Sequence, residues 1–307
     1  MYSYFDTHCD TLLKLYLDGK TLFDKELHIN YETLSMYENT VQCFALFNKG
    51  QLKIGDFFDA AAFLKRECES SGKMALCTDT YEIDKALSRG KIAAILTIEA
   101  LGNTPDFKAR HISDLKKCGY MMAGLVWNYD NSLCGGACGE NSGLTALGEH
   151  TLRNMESVGM IADVSHMSEE SFENTADVFC KPIVASHSNS AFVCPHVRNL
   201  SDKNIVRIID SGGAVGVNVY PPFVGGEGGI DDVVCHIDRI ISLGGAKNIC
   251  IGSDLDGIDS AVCGIKSGAD ITKLFDALIC HNYPKSLIND ISFNNIYNIF
   301  KKYEILN

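Results

Sequence analysis

Eight short runs of β-branched and small apolar residues recur along the chain, separated by segments long enough to hold a helix. They are Ser3–His8, Thr40–Phe47, Ile92–Ile98, Tyr120–Trp127, Met160–Ser165, Ile183–Ser186, Gly213–Val219 and Asn248–Ser253. Several are apolar throughout instead of alternating, the pattern of parallel strands covered on both faces. Parallel neighbours require a crossover, and the intervening stretches can supply one. Two of these are plainly helical in period: Phe57–Ser70, with Phe57, Phe58, Ala61, Ala62 and Leu64, and Ile230–Leu243, with Val233, Val234, Ile237, Ile240 and Ile241. Asp202 is expected to cap a helix over Lys203–Asp210 that Gly212-Gly213 ends, and Gly244-Gly245 ends the next. From Asp270 onward the chain reads as two or three closing helices, the last over Asn294–Tyr303.

No repeat, low-complexity tract or Pro-rich linker divides the 307 residues. The expectation is therefore an α/β chain forming one (β/α)8 TIM-type barrel over residues 1–307, with extra C-terminal helices. Such a barrel typically takes ~250 residues. An open doubly wound sheet is the alternative, weakened because no Gly-x-Gly-x-x-Gly follows an early strand.

Composition narrows the function classes. With 27 Lys+Arg against 39 Asp+Glu, the net charge of −12 offers no basic face for nucleic acid. Apolar runs such as Lys91–Ile98 fall far short of the ~20 residues that a membrane-spanning helix needs. Met1–His8 lacks the basic-then-apolar order of a signal peptide. The 13 cysteines are scattered, with Cys43, Cys118 and Cys250 in apolar runs, as small buried hydrophobes would be. Cys134 and Cys138 share a Gly-rich loop, but no second pair stands at zinc-finger spacing. A reduced, cytoplasmic protein with no membrane partner is the expectation.

The chemistry lies where the apolar runs stop. The first ends in Asp6-Thr-His8-Cys-Asp10, and alternation along an extended chain puts His8 and Asp10 on one face. The third ends in Glu99, the fifth in Asp163-Val-Ser-His166, the sixth in Ser186-His187, and the eighth in Ser253-Asp254-Leu-Asp256-Gly257. Taken singly, each has an ordinary reading: a hydrogen-bonded structural histidine, a helix cap or a solvated loop charge. Asp256 and Asp259 read that way, and Asp163 reads as either a partner to a ligand or a buried hydrogen-bonder. Five such residues on different strands of one barrel change the weighting, because all the strand ends open onto one mouth. Three imidazoles and two carboxylates suit Zn²⁺, with Mn²⁺ or Fe²⁺ compatible by donor type. Five ligands exceed a tetrahedral site that keeps a place for water, but they fit two ions bridged by a carboxylate. Such ions stand ~3.5–4 Å apart and can hold a hydroxide between them. Glu99, alone on its strand, is the natural bridge, and Asp254 is left as general acid/base.

This ordered set resembles the membrane (renal) dipeptidase family of amidohydrolase-like metal-dependent barrels. The resemblance runs from Asp6-Thr-His-Cys-Asp10 to Gly252-Ser-Asp-Leu-Asp-Gly257, through Asp163-Val-Ser-His166-Met-Ser, Ser186-His187-Ser-Asn-Ser-Ala191 and Val197-Arg198-Asn199. It implies two Zn²⁺ per chain, one on His8 and Asp10, the other on His166 and His187, bridged by Glu99. Arg198 would clamp the substrate carboxylate, Asp254 would be the acid/base residue, and Tyr220 would contact substrate. The implied reaction is hydrolysis of a free L,L or L,D dipeptide, and a homodimer is implied by analogy. Trp127 stands where the kidney-type enzymes carry an oxyanion-stabilising histidine, and Asn128 could donate instead. The rival reading is another hydrolase of this barrel class, acting on a non-peptide amide or lactone.

Overall fold

The computed structural model describes residues 1–305. Nine parallel strands form one sheet: β1 Tyr4–Asp6, β2 Thr40–Phe47, β3 Met74–Leu76, β4 Ile92–Glu99, β5 Tyr120–Gly124, β6 Ile161–Asp163, β7 Val184–Ala185, β8 Ala214–Val217 and β9 Ile249–Ile251. Strand β1 lies between β2 and β9, and β2 also pairs with β4, so eight strands close a ring with helices outside it. This is the expected (β/α)8 barrel. The β2–β4 register, Val41 with Ala93 through Phe47 with Glu99, brings Phe47 level with the carboxylate that ends β4.

Strand β3 was not expected. Three residues with one buried side chain carry too little periodicity to stand out. It pairs with the start of β4 at Met74–Ile92, while β5 takes the later half of that edge.

The strands also end earlier than their apolar runs suggest. Strand β1 stops at Asp6 instead of His8, β6 at Asp163 instead of Ser165, and β5, in the run to Trp127, pairs only as far as Gly124. Two buried carboxylates take over from the ladder. Asp6 accepts from the amides of His8 and Ser253, and Asp163 from those of Ser165 and Ser186. Beyond the ladder the chain remains satisfied, yet it can splay into a mouth.

The helices Ile54–Ser71 and Ile230–Ser242 match their apolar periods. Ser201, not Asp202, caps the helix Asp202–Ser211: its hydroxyl accepts from the Asn204 amide, while Asp202 instead pairs with Arg239. Gly212, in the left-handed region at φ 76°, ends that helix as expected. The closing segment comprises helices Thr272–Cys280, Lys285–Asn289 and Asn295–Ile305, the last two joined by a π turn. Phe300 packs 5.3 Å from Phe5 of β1, and the Asn295 amide donates to the carbonyls of Ala246 and Ile249 where β9 begins. These helices therefore cover the barrel on the side away from the strand ends. Among the described residues no helix is long and apolar enough to cross a membrane.

Candidate metal centre

All six chemistry-bearing residues expected at the strand ends converge, each at least nine-tenths buried: His8, Asp10, Glu99, His166, His187 and Asp254. An isolated bridge from Cys9 to Leu255 keeps the chain extended past β1, so the alternation that puts His8 beside Asp10 holds. His8 Nε2 lies 3.6 Å from Asp10, 3.5 Å from Glu99 and 3.8 Å from Asp254. The other Glu99 oxygen lies 2.8 Å from His166 Nε2 and 3.9 Å from His187 Nε2. Glu99 thus has one oxygen toward each half of the cluster.

The backbone is turned sharply to achieve this. His166 and Asp254 sit in the left-handed region at φ 67° and 63°, as does Ala100 directly after Glu99. Such conformations cost a side-chain-bearing residue roughly 1–3 kcal/mol and persist where the surroundings impose them. Gly257 allows the closest approach: a Cβ there would come within 1.9 Å of Asp10 Oδ2.

Each of the two later histidines is held from behind. His166 Nδ1 lies 2.9 Å from Asn128 Oδ1, an acceptor for the ring proton in the tautomer whose Nε2 lone pair would hold a cation. The Ser186 hydroxyl donates to Asp163 at 2.5 Å and lies 2.7 Å from His187 Nδ1, so it accepts from that ring in turn. Asp163 therefore reaches a candidate ligand only through Ser186. Asp254 is oriented likewise, with Asn218 Nδ2 donating to its Oδ2 at 2.8 Å.

Electrostatics follow the crowding. Burial raises the Asp254 pKa to about 7, with Asp10 and Glu99 adding repulsion and His8 and Asn218 opposing. Against its own burial, Glu99 is held below the usual carboxylate range by His166 and His8. Burial, with Arg198 nearby, lowers His166 to about 4, and His187 is pushed well down by burial, His8 and His166. Against its burial, His8 is raised well above its ordinary value by Asp10 and Glu99, so a cation bound there would displace its proton, whereas neutral His166 and His187 are already in the form that binds one.

The donor set fits metal. His8, Asp10 and Glu99 offer donor atoms within 4.8 Å of one another, as do Glu99, His166 and His187, and also His8, His187 and Asp254. His8 Nε2 and Asp10 Oδ1 are buried without a hydrogen-bond partner. No cysteine enters these groups, and all 13 thiols are free.

A cavity of about 460 Å³ opens over the cluster, lined by Trp127, Asn128, Tyr220 and Phe223 among others. Trp127 packs 5.4 Å from Phe47 and 6.2 Å from His166. The pKa of Tyr220 is raised by partial burial and by the nearby Asp259 carboxylate. Asp256, expected as a turn charge, is buried instead. It accepts from Thr11, from Lys14 and from the amides of His28 and Ile29, tying the first loop to the last strand end. Arg198 is 4% exposed, with Nη2 3.4 Å from the His187 carbonyl and Nε unpaired. Asp6, Ser186 and Asn218 carry no signal in the sequence, because a short polar residue near a strand end has no periodicity to mark it.

The fold is shared with solved metallopeptidases. A Rhodobacter sphaeroides metallopeptidase, whose structure holds a phosphinate mimic of L-Ala-D-Ala, superposes with a TM-score of 0.87 at 22% identity over 98% of this chain and 99% of its own. The probable dipeptidase PvdM from Pseudomonas aeruginosa gives 0.85 at 18% identity, over 100% and 96%. In sequence, an uncharacterised Klebsiella pneumoniae protein encoded in the pqqA 5′ region is 31% identical over 76% of this chain and 90% of its own. An uncharacterised dipeptidase from Schizosaccharomyces pombe is 32% identical over 71% of this chain but only 55% of its own length. A family profile described as membrane dipeptidase (peptidase family M19) matches residues 2–307, and the chain belongs to that family.

Proposed function

We propose that the protein is a dizinc dipeptidase, cleaving the amide bond of a free dipeptide at the mouth of the barrel. The observation that carries this reading is the set of overlapping donor triads sharing His8, Glu99 and His187, with two buried donor atoms unpaired. His8 and Asp10 would hold one ion, His166 and His187 the other, and Glu99 would bridge them. When bound, the pair supplies Lewis acidity toward the scissile carbonyl and lowers the pKa of water beside it.

The chain's own residues do the rest. Asp254 accepts the proton of the attacking water on Oδ1, the oxygen nearer His8, because Asn218 occupies Oδ2. It then returns that proton to the leaving amine. A carboxyl whose pKa burial has raised toward neutrality suits both transfers, although cations at Asp10 and Glu99 would lower it. Arg198, buried without a carboxylate partner, takes the substrate carboxylate. Asn128 has its Oδ1 committed to His166, so its Nδ2 is the donor left for the carbonyl oxygen as charge develops. Trp127 and Tyr220 wall the cavity.

The test is amine release by zinc-loaded protein from L,L and L,D dipeptides, with a tripeptide, an N-acetyl dipeptide and a dipeptide amide as controls. Chelator-sensitive cleavage confined to free dipeptides is expected. Arg198→Ala should raise KM about 10–100-fold for free dipeptides, the worth of a charged hydrogen bond, and barely change any residual cleavage of the amide. No turnover with two equivalents of metal bound would sink the dipeptidase reading and favour a non-peptide amide or lactone.

A further inference from the structure

The two site residues in the left-handed region, His166 at φ 67° and Asp254 at φ 63°, share a local arrangement. Each directly follows a buried serine, Ser165 or Ser253, whose amide donates to a carboxylate at the end of a barrel strand. Those two carboxylates are used alike. Asp6, wholly buried, accepts on Oδ1 from the amides of His8 at 3.2 Å and Ser253 at 3.0 Å. On Oδ2 it accepts from the hydroxyls of Tyr4 and Ser253, both at 2.6 Å. Asp163 accepts on Oδ1 from the amides of Ser165 and Ser186, both at 2.9 Å, and on Oδ2 from the Ser186 hydroxyl.

Each carboxylate therefore ties its own strand to the neighbouring one, and it does so where the ladder is shortest. Strands β1 and β9 share one register pair, Asp6 with Ile251, and β6 and β7 share one, Asp163 with Val184. Among the described residues every other seam of the ring has at least two. The chain then crosses again beyond each carboxylate: the Asp254 amide donates to the His8 carbonyl at 3.1 Å, and the His187 amide to the Ser165 hydroxyl at 3.1 Å. Past the first seam lie His8 and Asp254, and past the second lie His166 and His187. A left-handed residue with a side chain persists only where its surroundings over-determine it, and a serine amide locked onto a buried carboxylate does that one residue earlier.

Resting on the dipeptidase reading for its kinetic half, we propose that Asp6 and Asp163 are positioning residues. By fixing the serine before each turn, Asp6 sets Asp254 against His8, and Asp163 sets His166 against His187. Two holds of the same construction thus serve different ends. Loss of the Asp163 hold misplaces two donors of one ion. Loss of the Asp6 hold misplaces the acid/base carboxyl, and because it also frees the His8 amide, its kinetics are read at saturating zinc.

The experiment compares the zinc-loaded full chain with Asp6→Ala, Asp6→Asn and Asp163→Ala. The control is Asn295→Ala, which loosens the opposite end of β9. Asp6→Ala should lower kcat about tenfold or more with KM nearly unchanged, the scale of a misplaced catalytic group. Asp6→Asn, which keeps an oxygen for both amides, should recover most of that loss. Asp163→Ala should weaken zinc binding about tenfold or more in competition against a chromophoric chelator. Asn295→Ala should lower the unfolding midpoint and change neither kcat nor zinc affinity. If the alanine variants at Asp6 and Asp163 do not fold, Ser253→Ala decides by the same fall in kcat, and Ser165→Ala, which frees the His187 amide, decides by zinc affinity. Losses of stability alone, with kcat and zinc affinity as in the wild type, overturn this inference and leave the dipeptidase reading intact. Absence of turnover for every dipeptide overturns that reading and the kinetic role of Asp6, while the zinc affinity of Asp163→Ala still decides the role of Asp163.

Discussion

His166 and His187 face each other Nε2 to Nε2 at 2.6 Å, and each ring is engaged from behind at Nδ1 by Asn128 or Ser186. With both protons on Nδ1, two lone pairs point at one another, an arrangement that repels unless a cation or a proton lies between them. Metal should therefore stabilise the fold itself. Zinc at a hundred times its Kd would add about 2.7 kcal/mol. Thermal unfolding with zinc and with chelator checks this: a midpoint several degrees higher in zinc is expected, and a midpoint indifferent to both would contradict the assigned site.

The contacts behind the rings should matter for affinity more than for folding. Asn128→Ala removes the acceptor for His166 Nδ1–H, and Ser186→Ala removes that for His187. Loss of such an outer partner typically weakens metal binding about 10–100-fold. Competition against a chromophoric chelator reads the change directly. Asn128→Asp, which keeps an acceptor oxygen, should restore most of the affinity, whereas equal loss in both Asn128 variants would point to a packing role.

Asp254→Asn should lower kcat by about 10²–10⁴-fold with little change in KM, the usual range for a general acid/base. Asn218→Ala should act through the same residue at smaller cost. Removing one hydrogen bond to a carboxylate, worth roughly 1.5–3 kcal/mol, would lower kcat about tenfold or more. Steady-state kinetics at saturating zinc separate the cases. A change in KM alone for either variant would place Asp254 in binding, not proton transfer.

His236 carries a pH dependence of stability away from the metal centre. It is fully buried, its Nδ1 accepts from the Ser190 amide and its Nε2 donates to the Val224 carbonyl, joining the segment that bears Arg198 to the turn that bears Phe223. Burial lowers its pKa, with the Val224 carbonyl and Asp232 opposing. The unfolded chain therefore binds this proton more readily. Stability from this group is present above about pH 6.5 and is lost as pH falls from there through the lower folded value. Urea unfolding at pH 7.5 and 5.5 should show a loss that is smaller in His236→Gln, and equal losses in both proteins would rule this group out as the source.

Much of this protein was legible in the order of its residues. A barrel strand covered on both faces must be apolar along its length, so eight such runs announced the ring, and the first polar residue after each stood out against them. Thus His8, Asp10, Glu99, His166, His187 and Asp254 could be named before any geometry was known, although nothing in the sequence measured their separations. Strand β3 stayed hidden because three residues carry no period. What only the tertiary structure decided is which polar residues serve the candidate ligands. Asp163 reaches Ser186 and thence His187 across the ladder, Asn128 reaches His166 from a different strand end, and Asn218 reaches Asp254 over 36 residues of chain. Asp256, which reads locally as a turn charge, closes onto residues more than 200 positions away. Periodicity reports which way a side chain faces along its own element. A hydrogen bond between elements depends on where the closed ring places a second residue, and that is a property of the barrel as a whole.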